Sequence, residues 1–100
     1  MKTEITQRDN TVEITVSGRL DTTTSADFEK TLTPFFASQG QELILDCREM
    51  EYISSAGLRV ILTAHKSITA NNGRFIIRNT SKEVRSVLDM TGFSRILTIE

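Results

Sequence analysis

The sequence predicts an α/β domain: one mixed β-sheet with an N-terminal β-hairpin and helices packed on it, in the order β-β-α-β-α-β-α-β. Three observations carry this. Val12, Ile14 and Val16 alternate with Glu13, Thr15 and Ser17, the period of a strand with one buried face. Leu43-Ile44-Leu45 is apolar without alternation, as in a strand covered on both faces. Apolar stripes at helical spacing separate the strand candidates, and the connections are too short for anything but adjacent packing.

Taken in order, a first strand around Thr3 to Gln7 meets the second across Asp9-Asn10, a turn pair that predicts an antiparallel hairpin. The second strand ends at Gly18. Thr24 and Asp27 have capping-box spacing ahead of Phe28, Leu32, Phe35 and Phe36, which share a helical face. Pro34 should kink or shorten that helix, because it removes a backbone donor well past the first turn. The Leu43 to Leu45 strand, between Gly40 and Asp46, is expected at the centre of the sheet. Leu58, Ile61, Leu62, His65 and Ile68 form the second stripe, closed by Asn71-Asn72-Gly73. Phe75-Ile76-Ile77 supplies a strand. A third helix runs from Thr80, with Glu83 at the capping-box position, through Val84, Val87 and Leu88 to Gly92. Ile96 to Ile99 supplies the last strand.

The totals bound the class. One hundred residues suit a single domain over 1-100, with no internal repeat or linker. Twelve basic and thirteen acidic side chains give a net charge of -1, which offers no field for nucleic acid or an anionic membrane. Cys47 is the only cysteine, so no internal disulfide forms and a cysteine-based metal site lacks its company. No apolar run is long enough to cross a bilayer and no leader opens the chain, which reads as cytoplasmic.

The informative stretch is Leu45 to Leu58, where a buried strand leaves the sheet and enters the second helix at Ser54-Ser55. A serine there commonly serves as an N-cap, worth about 1 kcal/mol. The same place suits an added phosphate, because the helix dipole and free amides favour negative charge. Both readings stand on the residues alone.

Tyr52-Ile53-Ser54-Ser55-Ala56-Gly57-Leu58-Arg59-Val60-Ile61-Leu62 resembles the signature of STAS domains, named for sulfate transporters and anti-sigma factor antagonists. Gly18-Arg19-Leu20-Asp21 before the threonine run resembles the Gly-x-Leu-Asp segment of that family, and Val84-x-x-Val87-Leu88-x-x-Thr91-Gly92 its third helix. The resemblance to the antagonist type implies a protein-binding switch, not an enzyme. Ser55 takes the phosphoacceptor position, with Ser54 a second candidate; Ala56 and Gly57 follow it, and Asp21 matches a nearby acidic residue. A serine-kinase anti-sigma factor would phosphorylate Ser55 and a serine phosphatase reverse it, and only the unmodified form would bind and free the sigma factor. The best-known antagonists place aspartate before the acceptor, where this chain has Ser54. Many also carry a further C-terminal helix, and no such residues follow the last strand here. The partner surface is expected at the start of the second helix, with Asp21 and Thr22, Thr23 and Thr24 beside it and Tyr52 and Arg59 in contact. The alternative is a STAS subunit that docks to an ATPase in a membrane-associated lipid-transport complex, without phosphorylation.

Other chemistry reads as bland. His65 lies ten residues from Ser55 on one helix, about 15 Å away and out of reach as its base. Cys47 reads as a buried, inert thiol. Asp46 ends a strand as a receiver-domain acceptor does, but the acidic pair that would hold Mg²⁺ is absent, leaving only Asp21. Phosphate-cradling Gly-Lys-Ser motifs and paired catalytic acids are absent too, so neither cofactor nor metal is expected.

Overall fold

The hairpin forms at the expected turn: in the computed structural model, which describes residues 1–100, β1 (Lys2–Arg8) and β2 (Thr11–Leu20) pair antiparallel. Asp9 takes the left-handed φ of 53° that such turns demand. The chain continues through α1 (Ser25–Leu32), β3 (Glu42–Ile53), α2 (Ser55–Ala70), β4 (Arg74–Arg78), α3 (Lys82–Met90) and β5 (Thr98–Ile99). The sheet order is β1-β2-β3-β4-β5, with every pairing after the hairpin parallel. β3 is therefore central, and the predicted element order holds.

One apolar cluster of 21 buried residues joins Val12, Ile14 and Val16 of β2, Leu43 and Leu45 of β3, and Phe75 and Ile77 of β4 to all three helices. Register explains the grouping, since Ile14, Leu45 and Ile77 are lateral neighbours on one sheet face. The other face of β3 is covered as well, as expected. Ile44 and Ile76 pair there, buried yet outside the cluster, between the Arg74–Glu42 and Arg78–Glu100 ion pairs at 3.3 and 3.0 Å. All three helices join the cluster on the opposite face, and the charged pairs flank Ile44 and Ile76 along this one.

Several local expectations are corrected. β2 runs past Gly18 to Leu20, because Gly18 at φ 90° absorbs a register shift without ending the strand. The Thr24–Asp27 capping box does not form; the Thr24 side chain turns back to the preceding loop and makes no cap bond. α3 is capped by Ser81, whose Oγ accepts the Val84 N–H at 3.1 Å, so Thr80 and Glu83 make no box. The run from Ile96 to Ile99 is mostly not strand. Phe93–Arg95 form a 3-10 turn whose Phe93 carbonyl takes the Ile96 and Leu97 amides, leaving only Thr98–Ile99 to pair with β4. Pro34 acts as expected: α1 stops at Leu32 and Pro34 lies in a 3-10 turn. On α2, Leu62 and His65 are only partly buried, and Ala64 completes the core stripe.

Candidate functional site at the start of α2

Close packing decides where α2 begins. A Cβ on Gly57 would lie 2.7 Å from Leu20 Cγ and 3.1 Å from Ile53 Cγ1, both on fully or nearly fully buried side chains. Glycine lets the first turn of α2 sit directly on the ends of β2 and β3. Ser54 completes the junction: its N–H donates to the Leu20 carbonyl at 2.8 Å, and its own carbonyl accepts the Leu58 N–H at 2.9 Å.

The two serines stand in different surroundings. Ser54 has extended backbone and is the N-cap, its Oγ accepting the Gly57 N–H at 3.2 Å. Ser55 is the first residue of α2, exposed, and its hydroxyl makes no protein hydrogen bond. An incoming group would therefore meet a free hydroxyl at Ser55 and a committed one at Ser54. Ala56 keeps the surface beside Ser55 low.

Asp21 reaches the site through the sheet, since β2 pairs Arg19 with Tyr52 and Leu20 with Ile53. Its carboxylate organises the loop before α1: Oδ1 accepts from the Thr23 hydroxyl at 2.8 Å, the Thr23 N–H at 3.0 Å and the Thr24 N–H at 3.2 Å. Thr24 Oγ1 accepts the Asp21 N–H and donates to the Arg19 carbonyl, each at 2.9 Å. Thr22 is exposed and free of side-chain bonds. The Thr23 hydroxyl above all, with the Thr24 donors, holds the Asp21 carboxyl below its ordinary value of 3.8.

The sign of that shift sets a pH window. A carboxyl whose pKa is lower in the folded chain contributes stability above the unfolded value, and loses it as pH falls below 3.8 through the folded value. Thr23→Val should move the Asp21 pKa back up toward 3.8. Carboxyl NMR titration of both proteins checks this, and an Asp21 that titrates alike in the two would contradict it.

Arg19 is the residue that sequence reasoning missed. Its guanidinium lies 4.2 Å from the centre of the half-exposed Tyr52 ring, with Nε 3.9 Å from Asp21 Oδ2. The only signal was a cation two residues before Asp21. Arg59 lies one turn into α2 and lines a shallow groove of about 210 Å³ against α1, opposite Glu29. Tyr52, Asp21, Thr23, Thr24, Ser54, Ser55, Ala56 and Gly57 thus surround one junction, with Arg59 extending it along the helix.

Cys47, His65 and Asp46 stand apart from it. Burial, then the charge of Asp46, pushes the Cys47 thiol up to about 12, so it carries no thiolate at neutral pH. His65 is partly buried, and its Nδ1 has no hydrogen-bond partner. Asp46 Oδ1 accepts from the Arg48 N–H and the Asn79 side chain. No group of three His, Cys, Asp or Glu side chains converges, and no helix is long and apolar enough to cross a membrane.

Known proteins align with this arrangement over most of their length. The family profile described as the STAS domain matches residues 2–100. The anti-sigma-B factor antagonist of Bacillus subtilis is 25% identical over 96 residues, covering 96% of this chain and 87% of that protein. That of Listeria monocytogenes is 29% identical over 98 residues, covering 97% and 86%. Among solved structures, a candidate anti-sigma factor antagonist from Thermotoga maritima superposes with a TM-score of 0.87 at 26% identity, covering 97% of this chain and 84% of that one. Unphosphorylated SpoIIAA, an anti-sigma factor antagonist, shares the fold with a TM-score of 0.75 at 18% identity, covering 99% and 87%.

Proposed function

The chain belongs to the STAS domain family, and from that premise we propose that it is an anti-sigma factor antagonist of the bacterial cytoplasm, a binding protein and kinase substrate with no catalysis of its own. In its unmodified form it binds a serine-kinase anti-sigma factor and frees the sigma factor. The kinase transfers the γ-phosphoryl group of ATP to Ser55 Oγ; the new ester forms as the β–γ anhydride bond breaks, ADP leaves and the hydroxyl proton is released. A serine phosphatase restores the hydroxyl. The partner meets Ser55, Ala56 and Gly57, with Ser54, Tyr52, Arg59, Asp21, Thr22, Thr23 and Thr24 around them.

One observation carries this reading beyond family membership. Ser55 is exposed with an unbonded hydroxyl while Ser54 does the capping, so a phosphate on Ser55 displaces no bond that holds the fold. The new charge, about -1.5 to -2, falls at the favourable end of α2 and changes the outer surface alone. Relatives named anti-sigma-B factor antagonists support the antagonist role.

The test is capture of partners by the unmodified chain, followed by incubation with ATP and peptide mapping. A serine-kinase anti-sigma factor should be recovered, and one phosphate should appear on Ser55. Phosphate confined to Ser54 would reject the residue assignment. Recovery of a transport ATPase in place of the kinase would reject the switch and favour a docking subunit.

A further inference from the structure

Arg59 is the cation beside Ser55 that the fold leaves uncommitted. Arg19, Arg74, Arg78 and Arg85 each have a carboxylate within 4 Å, and Arg19 also lies over Tyr52; Arg59 has neither kind of partner. Glu29, across the groove, does not pair with it. Ser55 and Arg59 both lie on α2 at i and i+4, which puts their Cβ atoms about 5–6 Å apart on one face.

Resting on the reading of Ser55 as phosphoacceptor, we propose that the phosphate captures Arg59, so that phosphorylation silences the surface by withdrawing this arginine from the α1–α2 groove as well as by adding charge. The order of the pair is the favourable one, with the anion N-terminal to the cation. A phosphate offers three acceptor oxygens, and the guanidinium fork matches two of them at once. The helix start contributes too, since Ser54 Oγ and the Ser54 carbonyl occupy the Gly57 and Leu58 amides but leave those of Ser55 and Ala56 unpaired; Arg59 adds a charged fork that those amides lack. Before modification Arg59 lines the groove with Ala26, Ala56 and Val60 and has no carboxylate of this chain within 4 Å, which leaves it free to pair with one on the partner.

Installing phosphoserine at position 55 during synthesis makes the test independent of any kinase. Phosphorus NMR then follows the second ionisation of the phosphate. With Arg59 present the dianion is favoured, so the phosphate pKa in the otherwise wild-type chain should lie roughly 0.2–0.4 unit below that in Arg59→Gln. Arg59→Lys should recover part of the difference, as a point charge without the fork. Equal pKa values in the arginine and glutamine proteins, both folded by circular dichroism, would overturn the capture. Ser55 left unmodified by a captured kinase would instead count against the acceptor reading of the preceding section.

Discussion

Leu45→Ala should destabilise the folded chain by about 2–5 kcal/mol, the usual consequence of emptying a buried leucine site. Leu45 is fully buried in the middle of the central strand, between Ile14 on β2 and Ile77 on β4. The one cluster that includes it also draws Phe28, Ile61 and Leu88 from the three helices, so a void there weakens strands and helices together. Close packing leaves little room for neighbours to collapse into it. Ile44→Ala, one residue earlier, should cost less. Its side chain lies on the opposite face, outside the cluster, where the flanking charged side chains can settle inward. Urea denaturation of the two variants gives the comparison. A Leu45→Ala loss within the surface range of about 0.5 kcal/mol would contradict the placement of β3 at the centre of the core.

Much of this arrangement was legible in the sequence because a two-residue or 3.6-residue period survives wherever an element has one buried face. β2 shows it in Val12, Ile14 and Val16, and α2 in Leu58, Ile61 and Ile68. The second half of β3 was not legible as strand, for a specific reason. Register shifts opposite Thr15 to Ser17 and Gly18 to Arg19 break its alternation, so Cys47, Met50 and Ile53 are buried at intervals of three. Four apolar or β-branched residues from Ile96 to Ile99 looked like a strand, but the left-handed Gly92 starts a 3-10 turn that consumes the amides of the first two. Neighbouring hydroxyls blurred the helix starts: among Thr24, Thr80 and Ser81, spacing alone does not say which oxygen faces an amide. The Ser54–Ser55 pair posed the same question at the site itself. Only the β2–β3 junction, through Leu20 and Gly57, decides which serine caps. The Arg19–Tyr52–Asp21 contact was hidden because it depends on cross-strand register, and no local pattern encodes that.

Ser55→Glu should weaken binding to the anti-sigma partner by about 2–5 kcal/mol, roughly 30-fold to several thousand-fold, whereas Ser55→Ala should bind nearly as well as the unmodified chain and resist phosphorylation. Alanine keeps the small surface and removes a hydroxyl that bonds to nothing in the protein. Glutamate places bulk and an uncompensated charge where the partner must exclude water, and much of the loss is the cost of burying that charge unpaired. Neither variant should unfold. Position 55 is exposed, and the N-terminus of α2 carries no acidic residue in its first turn, so a new carboxylate there meets a favourable helix dipole. A binding defect in Ser55→Glu belongs to the interface only if its denaturation midpoint and slope stay at wild-type values. Titration calorimetry with the purified partner supplies the two affinities. If Ser55→Glu, still folded, binds as tightly as Ser55→Ala, charge at this position does not gate the surface. The docking-subunit reading, with Ser54 as a structural cap and no switch at Ser55, would then move ahead of the sigma-factor switch.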